Sequence, residues 1–338
     1  MKNVEYYKRR KKELYRLQIH LIKADMQSLL FGHGVIFLLI GIHTKHGTAG
    51  KCNRKHVTIT ELRDIFIGRC VEYQTSLHPE YFCATGLKNC TELWVKFFTA
   101  FNDKPPCNVT ASLYINFITA ANHRVTGKQL FYSGVRNLAQ WYSSEGTRYT
   151  TIENTFIGYL INGVHFCGST TGNSSYESCE AWNPVTCPNT ASGSFWEAAS
   201  TNFAKNAVGD VYVLLNGTRN PIFKSSSYFT KYEAPNLRGG TVTKLTAILI
   251  NDSPKTKRDL CNNDDSLKIL KSIVKTKGIE FVCKENPRDL VYLFCIDNSS
   301  TDLCTSVNMY HDGNASTCRA CFSPQLLLLL LALLNVLK

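Results

Sequence analysis

The cysteines of this chain narrow the range of folds open to it. Fourteen occur among 338 residues, and none of them forms the paired C-x-x-C sets that a structural zinc site needs. Seven N-x-S/T sequons accompany them, at Asn89, Asn108, Asn173, Asn216, Asn251, Asn298 and Asn314. An even number of cysteines together with many sequons is typical of a secreted domain that is glycosylated and held by disulfides.

Both ends of the chain predict export from the cytosol. Met26–Ile42 is a mostly apolar stretch behind a basic cluster, which is the order of a signal peptide, and its length leaves a signal anchor open. At the other end, small residues at Asn314–Ser316 and a polar spacer precede the leucine-rich tail Leu326–Leu337, the order of a GPI-anchor signal. About twelve apolar residues are too few for a transmembrane helix. We therefore expect a leader over residues 1–50, an anchor signal over residues 307–338, and a mature protein that is GPI-anchored on the extracellular face of the plasma membrane, or secreted.

The positive charge of the chain does not indicate a nucleic-acid partner. Of the 38 Lys and Arg residues behind its formal net charge of +12, eight lie in residues 1–25, and the others are spread thinly. No basic run is interleaved with aromatic residues, as it is in proteins that bind nucleic acids.

Common catalytic motifs are also missing from the chain. There is no G-x-G-x-x-G after a strand, no Walker loop, no G-x-S-x-G and no H-E-x-x-H. The sequence therefore disfavours a dehydrogenase, a kinase, a serine hydrolase and a zinc peptidase, and we expect no metal site.

The apolar residues change their period along the chain. From Leu62 to Phe101 they recur every three or four residues, which predicts helices. Later, short β-branched runs alternate with helical segments at Val135–Tyr142 and Asp265–Lys277. The runs predicted as strands are Leu130–Ser133, Val211–Leu215, Leu245–Ile250, Ile279–Cys283 and Leu290–Cys295.

This alternation predicts an α/β (α+β) fold, since strands that alternate with helices form mostly parallel sheets. We expect a mostly helical N-terminal lobe over residues 51–125 and 151–208. A second lobe, with a small four-stranded parallel sheet, would comprise residues 126–150 and 209–306. Disulfides would hold the two lobes in place.

One acid stands alone between Asp210 and Asp252. Glu233 lies between aromatic residues and Pro235, so we expect it on a shaped loop rather than in a regular element. Two interpretations are open from the residues alone: an exposed glutamate that pairs with Lys231, or a functional acid.

Three further segments carry side chains suited to a pocket. Phe131–Gly134 lies at a predicted strand end, the usual ligand position in a parallel sheet. Thr151–Thr155 contains Glu153, although a threonine two residues before an acid is also an ordinary helix cap. In Ser194–Ser200, Trp196 and Ser200 share one helix face, where a tryptophan is also a common core residue.

Together these segments resemble the ADP-ribosyl cyclase family of NAD glycohydrolases. The resemblance rests on Phe131–Val135, Thr151–Thr155 with Gly158 and Tyr159, Cys167–Gly168, Ser194–Trp196 with Ala199 and Ser200, Lys231–Glu233 with Pro235–Leu237, and ten cysteines in matching order. It extends from Leu62 to Cys304, most of the mature chain. It implies an enzyme that cleaves the nicotinamide–ribose bond of NAD or NADP, which gives nicotinamide and ADP-ribose, with cyclic ADP-ribose as a further product. NAD would be the substrate, and no cofactor is implied.

The resemblance also assigns roles to single residues. Glu233 would be the catalytic carboxylate, which stabilises the positive charge that develops on the ribose as neutral nicotinamide leaves. Trp196 would stack on the cationic pyridinium ring, and Glu153 would hold the nicotinamide end. The implied substrate contacts are Tyr132, Ser133, Ile152, Asn162, Ser200, Ser227, Tyr228 and Phe229.

The order of the cysteines in the family implies five disulfides. They are Cys70–Cys90, Cys107–Cys187, Cys167–Cys179, Cys261–Cys283 and Cys295–Cys304. Each would stabilise the fold by roughly 2 to 4 kcal/mol, mainly by restricting the unfolded chain. Cys52 and Cys83 are additional to the family's ten, and we expect a sixth bridge between them.

The chain departs from the family's pattern at Tyr132, where the family usually has a second tryptophan. Tyrosine is smaller and polar at its tip, so we expect weaker stacking, easier entry of water, and more hydrolysis than cyclisation. Two alternatives stay open: a non-catalytic GPI-anchored surface receptor with the same fold, and a transglycosidase that mainly exchanges the nicotinamide base. The sequence also leaves a homodimer open.

Overall fold

The computed structural model describes residues 61–125, 128–144, 149–170, 179–252 and 259–305. All of them fall within one unit, Arg54–Lys338. The predicted leader and anchor signal, Cys52, and the sequons at Asn173 and Asn314 lie outside these ranges. None of the helices within them is both long enough and apolar enough to cross a membrane.

A parallel sheet of five strands forms the centre of the fold. The strands are β1 (Lys128–Ser133), β2 (Tyr149–Thr150), β3 (Gly209–Asn216), β4 (Val242–Ile250) and β5 (Glu280–Glu285), and their order in the sheet is β2-β1-β3-β4-β5. In β3, Val213 joins the apolar cluster on one face and Leu214 the cluster on the other. Both faces are therefore covered, as is usual for parallel sheets. The predicted parallel sheet is confirmed; its additional strand, β2, is too short to produce a recognisable period.

Four of the helices share a core of aromatic rings. The helices of the described residues are α1 (Leu62–Glu72), α2 (Cys90–Phe98), α3 (Ile115–Ala121), α4 (Arg136–Ser144), α5 (Phe156–Ile161), α6 (Ala191–Lys205), α7 (Leu260–Asn263), α8 (Asp265–Lys275) and α9 (Arg288–Asp297). The Phe97 ring lies 5.3 Å from Phe66 of α1, 5.5 Å from Phe117 of α3 and 5.8 Å from Phe195 of α6, between ring centroids. The helical spacing predicted from Leu62 is thus confirmed for α1 and α2, whose buried sides carry these rings.

The segment Leu290–Cys295 is helical, so its prediction as a strand was wrong. It lies within α9, which follows Pro287 and has Asp289 in its first turn. Proline is well tolerated at a helix start, and an acid in the first turn interacts favourably with the helix dipole. A short apolar run alone does not distinguish a strand from a partly buried helix.

Five disulfides join elements of the described chain. They are Cys70–Cys90, Cys107–Cys187, Cys167–Cys179, Cys261–Cys283 and Cys295–Cys304, the same pairs that the resemblance implies. Cys83 is exposed and forms no disulfide with another cysteine of the described residues. Its expected partner, Cys52, lies outside the described residues, so the sixth bridge stays a prediction.

The carboxyl ends of β1 and β3 lie side by side, because the strands are parallel and Ser133 is paired with Leu215. Gly134 follows β1 with a φ of 77°, a left-handed conformation that favours glycine, and it turns the chain toward α4. Two short helical turns reach this edge of the sheet: a 3-10 turn at Ile152–Asn154 and a π-helical turn at Phe229–Glu233. This edge is where parallel sheets usually bind their ligands.

Candidate active site

A cavity of about 500 Å³ lies at the carboxyl end of β1. Side chains from the sheet edge, from α6 and from the two short turns line it. The predicted site residues in its lining are Tyr132, Ser133, Ile152, Glu153, Trp196, Ser200, Ser227, Tyr228 and Glu233. The volume is in the usual range of pockets that bind small molecules and cofactors.

Glu233 ends a π-helical turn, so the prediction of an irregular loop was wrong. Phe229 begins this turn and is fully buried, with its ring centroid 5.9 Å from that of Phe131 in β1. Pro235 follows within a 3-10 turn, where a proline fits because its missing N–H would have no helical partner. The aromatic anchor on one side and the proline turn on the other fix the backbone that carries the Glu233 carboxylate.

The Glu233 carboxylate is buried, with the residue only 5% exposed. Burial raises the pKa of Glu233 to about 8; a hydrogen bond from Ser200 opposes this rise, and the charge of Glu153 adds to it. Lys231 does not pair with Glu233, because its ammonium points elsewhere, 5.7 Å from the centroid of the Trp182 ring. The interpretation of Glu233 as an exposed, ion-paired glutamate is therefore wrong. The acid is isolated in the sequence but has a second carboxylate near it in space.

That second acid, Glu153, lies on the 3-10 turn and is also only 5% exposed. The predicted cap is present as well, since the Thr151 N–H donates to Asn154 Oδ1 at 3.0 Å. Gly158 lets α5 pack closely against this turn, because a Cβ at that position would lie 2.0 Å from the carbonyl oxygen of Ile152. One segment thus supplies both a cap and a buried acid.

The two oxygens of the Glu153 carboxylate differ in their contacts within the described part of the chain. The Tyr132 hydroxyl donates to Oε1, and Arg136 Nε donates to the same oxygen at 3.3 Å. Burial and the neighbouring Glu153 charge raise the pKa of Tyr132, which keeps its hydroxyl protonated as the donor. Among the described residues, Glu153 Oε2 is buried with no hydrogen-bond partner. A buried acceptor without a donor is costly, so this oxygen favours a ligand that donates a hydrogen bond.

Helix α6 brings Trp196 and Ser200 to the cavity from one face, one turn apart. The Trp196 ring is half-buried and lies edge-on to Phe195, with centroids 5.2 Å apart. Ser133, the last residue of β1, also lines the cavity. It is buried, and its hydroxyl has no hydrogen-bond partner among the described residues. The cavity therefore offers an aromatic face, two acids and a hydroxyl with unused hydrogen-bonding capacity.

Two of the predicted substrate contacts lie outside the cavity lining. Phe229 is turned into the core, where it anchors the turn beneath Glu233. Asn162 follows α5; its side-chain oxygen accepts from Arg136 at 2.7 Å, and its carbonyl accepts from Arg69 Nη1 at 2.8 Å. Their placement indicates a supporting role rather than the contact expected from the resemblance.

The motifs did not point to three basic residues of the lining: Arg136, His165 and Arg219. Arg136 begins α4 directly after the turn at Gly134, and Arg219 follows β3. Both positions come just after a strand of a parallel sheet, which is a signal that the sequence does contain. Within the described ranges, no three His, Cys, Asp or Glu side chains are close enough together to hold a metal ion.

Comparisons with known proteins agree on one family. The family model described as ADP-ribosyl cyclase matches residues 59–304. An ADP-ribosyl cyclase/cyclic ADP-ribose hydrolase from Aplysia californica is 33% identical over 258 residues, which cover 75% of this chain and 90% of that protein. ADP-ribosyl cyclase/cyclic ADP-ribose hydrolase 2 from Homo sapiens is 30% identical over 250 residues, which cover 73% of this chain and 76% of that protein.

Solved structures are similar over the same part of the chain. The structure of Aplysia cyclase complexed with substrate NGD and product cGDPR matches with a TM-score of 0.65 and 33% identity, and covers 73% of this chain and 98% of that one. Porcine CD38 complexed with a covalent intermediate matches with a TM-score of 0.62 and 30% identity, and covers 70% of this chain and 100% of that one.

Proposed function

The chain belongs to the ADP-ribosyl cyclase family, and we propose that it is an NAD glycohydrolase and ADP-ribosyl cyclase. It cleaves the bond between nicotinamide and ribose in NAD or NADP, and it releases nicotinamide and ADP-ribose, with cyclic ADP-ribose as a further product. The observation that carries this proposal is the placement of a buried carboxylate, Glu233, in one cavity with Trp196 and with the unpartnered oxygen of Glu153.

The chemistry of the leaving group explains why a single carboxylate suffices. The nicotinamide ring of NAD is a pyridinium cation, and it leaves as a neutral base, so its nitrogen needs no general acid. As the bond breaks, positive charge develops on the ribose, and a carboxylate close to the ring stabilises that charge. Glu233 can supply it in a site where burial strengthens electrostatic interactions.

The raised pKa of Glu233 links its charge to the presence of substrate. With a pKa of about 8, the group is largely protonated at neutral pH in the free protein. A pyridinium cation beside it favours the ionised form, so substrate binding releases a proton and generates the catalytic charge. The hydrogen bond from Ser200 supports that same ionised form.

Glu153 would hold the nicotinamide end through its unpartnered oxygen. Tyr132 and Arg136 fix Oε1, so Oε2 remains to accept an N–H of the nicotinamide carboxamide. Trp196 would stack on the cationic ring, whose charge is attracted to an aromatic face. These contacts orient the bond that breaks toward Glu233, which is how binding energy contributes to the reaction.

The fate of the ribosyl centre depends on what reaches it first. Attack by water gives ADP-ribose, and attack by the folded-back adenine gives the cyclic product, so exclusion of water favours cyclisation. The aromatic face that Tyr132 offers is smaller than that of the tryptophan usual in the family. Its hydroxyl is polar and donates a hydrogen bond to Glu153. We therefore expect hydrolysis to exceed cyclisation.

The test is to incubate the full-length chain with NAD and to resolve nicotinamide, ADP-ribose and cyclic ADP-ribose. Nicotinamide release is expected from the wild type and not from Glu233→Gln. Glu197→Gln is the matched control, because Glu197 lies on α6 but not in the cavity lining. Folded wild-type protein that releases no nicotinamide would overturn the proposal and favour the non-catalytic receptor. Labelled free nicotinamide added to the reaction measures base exchange.

We further propose that the mature protein is a glycoprotein with a GPI anchor on the extracellular face of the plasma membrane. The five disulfides and the exposed sequons Asn89 and Asn108 support this location, as does the leucine-rich tail. Asn251 is buried, so we expect no glycan there. Release of activity from intact cells by a phosphatidylinositol-specific phospholipase is expected. Activity found only in the medium would indicate secretion, and sedimentation of the released protein would decide on a homodimer.

A further inference from the structure

His123 is a half-buried histidine that does not line the active-site cavity but contacts the segment that carries Glu153. Its Nε2 accepts from the Phe156 N–H at 3.0 Å, across 33 residues of sequence. Its Nδ1 lies 3.1 Å from the carbonyl oxygen of Arg124. Phe156 is the first residue of α5, and the first N–H groups of a helix have no partner within that helix. The imidazole therefore stabilises the start of α5 from outside.

These two contacts determine which nitrogen of the His123 ring carries a proton. A carbonyl oxygen can only accept, so Nδ1 must be the donor to it. The Phe156 N–H can only donate, so Nε2 must present its lone pair. A protonated ring has an N–H at both nitrogens and would turn one of them toward the Phe156 N–H. The contact therefore requires a neutral His123.

The surroundings of the ring favour this neutral form. The Tyr81 ring stacks on His123 with centroids 5.2 Å apart, and the Tyr73 ring lies 5.9 Å away. Burial lowers the pKa of His123 below its usual value of 6.5; the charges of His78 and Lys88 act in the same direction, and the hydrogen bond at Nδ1 opposes them. Burial raises the pKa of Tyr73, so its phenol adds no negative charge. Protonation of the imidazole therefore needs more acid than in a free histidine.

The start of α5 is joined to the Glu153 turn through Thr155. The Thr155 hydroxyl donates to the carbonyl oxygen of Ile152 at 2.6 Å and accepts from the Gly158 N–H at 3.1 Å. From the other side, the Tyr73 hydroxyl donates to the last carbonyl of the same 3-10 turn at 2.8 Å. A shift at the start of α5 therefore moves the backbone that carries the Glu153 carboxylate.

We propose that neutral His123 is a positioning residue that fixes the Glu153 turn through the Phe156 N–H, and that its protonation weakens binding of the nicotinamide end at acidic pH. This inference rests on the proposed function, in which Oε2 of Glu153 accepts from the nicotinamide carboxamide. His123 acts only through the turn, since it does not line the cavity. Its effect therefore falls on KM rather than on kcat.

The experiment measures kcat and KM for NAD from about pH 5 to pH 8 in the full-length wild type, His123→Gln and His123→Phe. Glutamine offers an acceptor near the position of Nε2 and does not titrate, whereas phenylalanine keeps the stacked ring and has no acceptor. Toward pH 5, KM of the wild type should rise about threefold to tenfold above that of His123→Gln, the effect of one hydrogen bond. His123→Phe should show the raised KM at every pH. Ratios taken at equal pH cancel the titration of Glu233, which the three proteins share.

His78→Gln is the matched control, because His78 also stacks on Tyr81, at 4.8 Å, but pairs with the Glu80 carboxylate. It should keep the pH dependence of the wild type. His123→Phe should also have little effect on KM in a Glu153→Gln background, since the acid through which it acts is gone. A ratio of wild type to His123→Gln that is constant with pH, or a full effect of His123→Phe without Glu153, would overturn the inference.

Nitrogen-15 NMR separates this inference from the proposed function, because it requires no turnover. His123 should be in the Nδ1–H tautomer near pH 8, and the Phe156 amide signal should shift as His123 titrates. A chain with these signals that releases no nicotinamide would refute the proposed function while supporting the link between His123 and the turn. The Nε2–H tautomer, or a Phe156 signal that ignores the titration, would refute the inference even in an active enzyme.

Discussion

Glu233 and Glu153 are buried to the same degree in one cavity, but their surroundings differ. Glu153 is paired with the Arg136 guanidinium and accepts from the Tyr132 hydroxyl. Among the described residues, Glu233 has the Ser200 hydroxyl and no cation as a partner, and its pKa is about 8. A carboxylate held by a cation keeps a fixed position, whereas one without a cation ionises in response to a charged ligand. We infer that Glu153 orients the substrate and that Glu233 becomes ionised when the charged substrate binds.

The largest expected effect separates the two acids by their kinetics. Glu233→Gln should lower kcat for NAD by about 10³-fold or more, because it removes the charge that stabilises the ribosyl cation. Glu153→Gln should act mainly on KM, since Tyr132 and Arg136 can still hold an amide oxygen while the amide nitrogen can no longer accept from the substrate. Steady-state kinetics of both variants decide the matter. Equal losses in kcat would contradict the division of roles.

Glu233 should also make the folded chain less stable at neutral pH. Its pKa is raised from 4.5 to about 8 in the folded state, so protonated Glu233 favours folding. The stability that this provides is fully present below about pH 4.5 and is lost as the pH rises through about 8. Glu233→Gln should therefore raise the free energy of unfolding by roughly 3 kcal/mol at pH 7 and by little near pH 5.

Urea unfolding of wild type and variants at pH 5 and pH 8 measures this difference. Glu153→Gln is the informative control, because it removes a buried acid that has a cation and should give no comparable gain. A gain for Glu233→Gln of the same size at both pH values would show that packing, rather than the charge of the acid, accounts for it.

The pH dependence of catalysis tests how the acids influence each other. If ionised Glu233 is the active form, kcat/KM for NAD should rise about tenfold per pH unit below pH 8 and level off above it. The charge of Glu153 contributes to the raised pKa of Glu233, so Glu153→Gln should move this rise to lower pH. The measurement is kcat/KM from pH 5.5 to 9.5 for both proteins. A profile that does not move in Glu153→Gln would show that the two charges do not interact.

Some features of this site could be predicted from the sequence because they depend on local spacing. Trp196 and Ser200 are four residues apart, so they share one face of a helix. Thr151 caps a helical turn through a residue three positions later. The segments around Glu153 and Glu233 could be connected only through the resemblance to a family, because nothing local in either one refers to the other.

Other features depend on distances that no local pattern encodes. The guanidinium of Arg219 packs against Gly134, although Gly134 follows β1 and Arg219 follows β3. Phe229 lies next to Tyr228 in the sequence, yet only Tyr228 lines the cavity, because the direction of each side chain is set by the π-helical turn. The sign and size of the pKa shift of Glu233 likewise follow from burial, which is a property of the whole fold.

The smallest expected effect concerns Tyr132, which contacts one acid and borders the space of the other. Tyr132→Trp restores the larger face usual in the family and should raise the ratio of cyclic to linear product by about threefold to tenfold, the range expected for improved aromatic stacking. Tyr132→Phe keeps the size of the ring but removes the hydrogen bond to Glu153. If ring size controls the entry of water, only the tryptophan variant should shift the ratio. An equal shift in Tyr132→Phe would instead assign control of the product to the position of Glu153, and a wild type that gives mainly cyclic product would contradict the expected role of Tyr132 altogether.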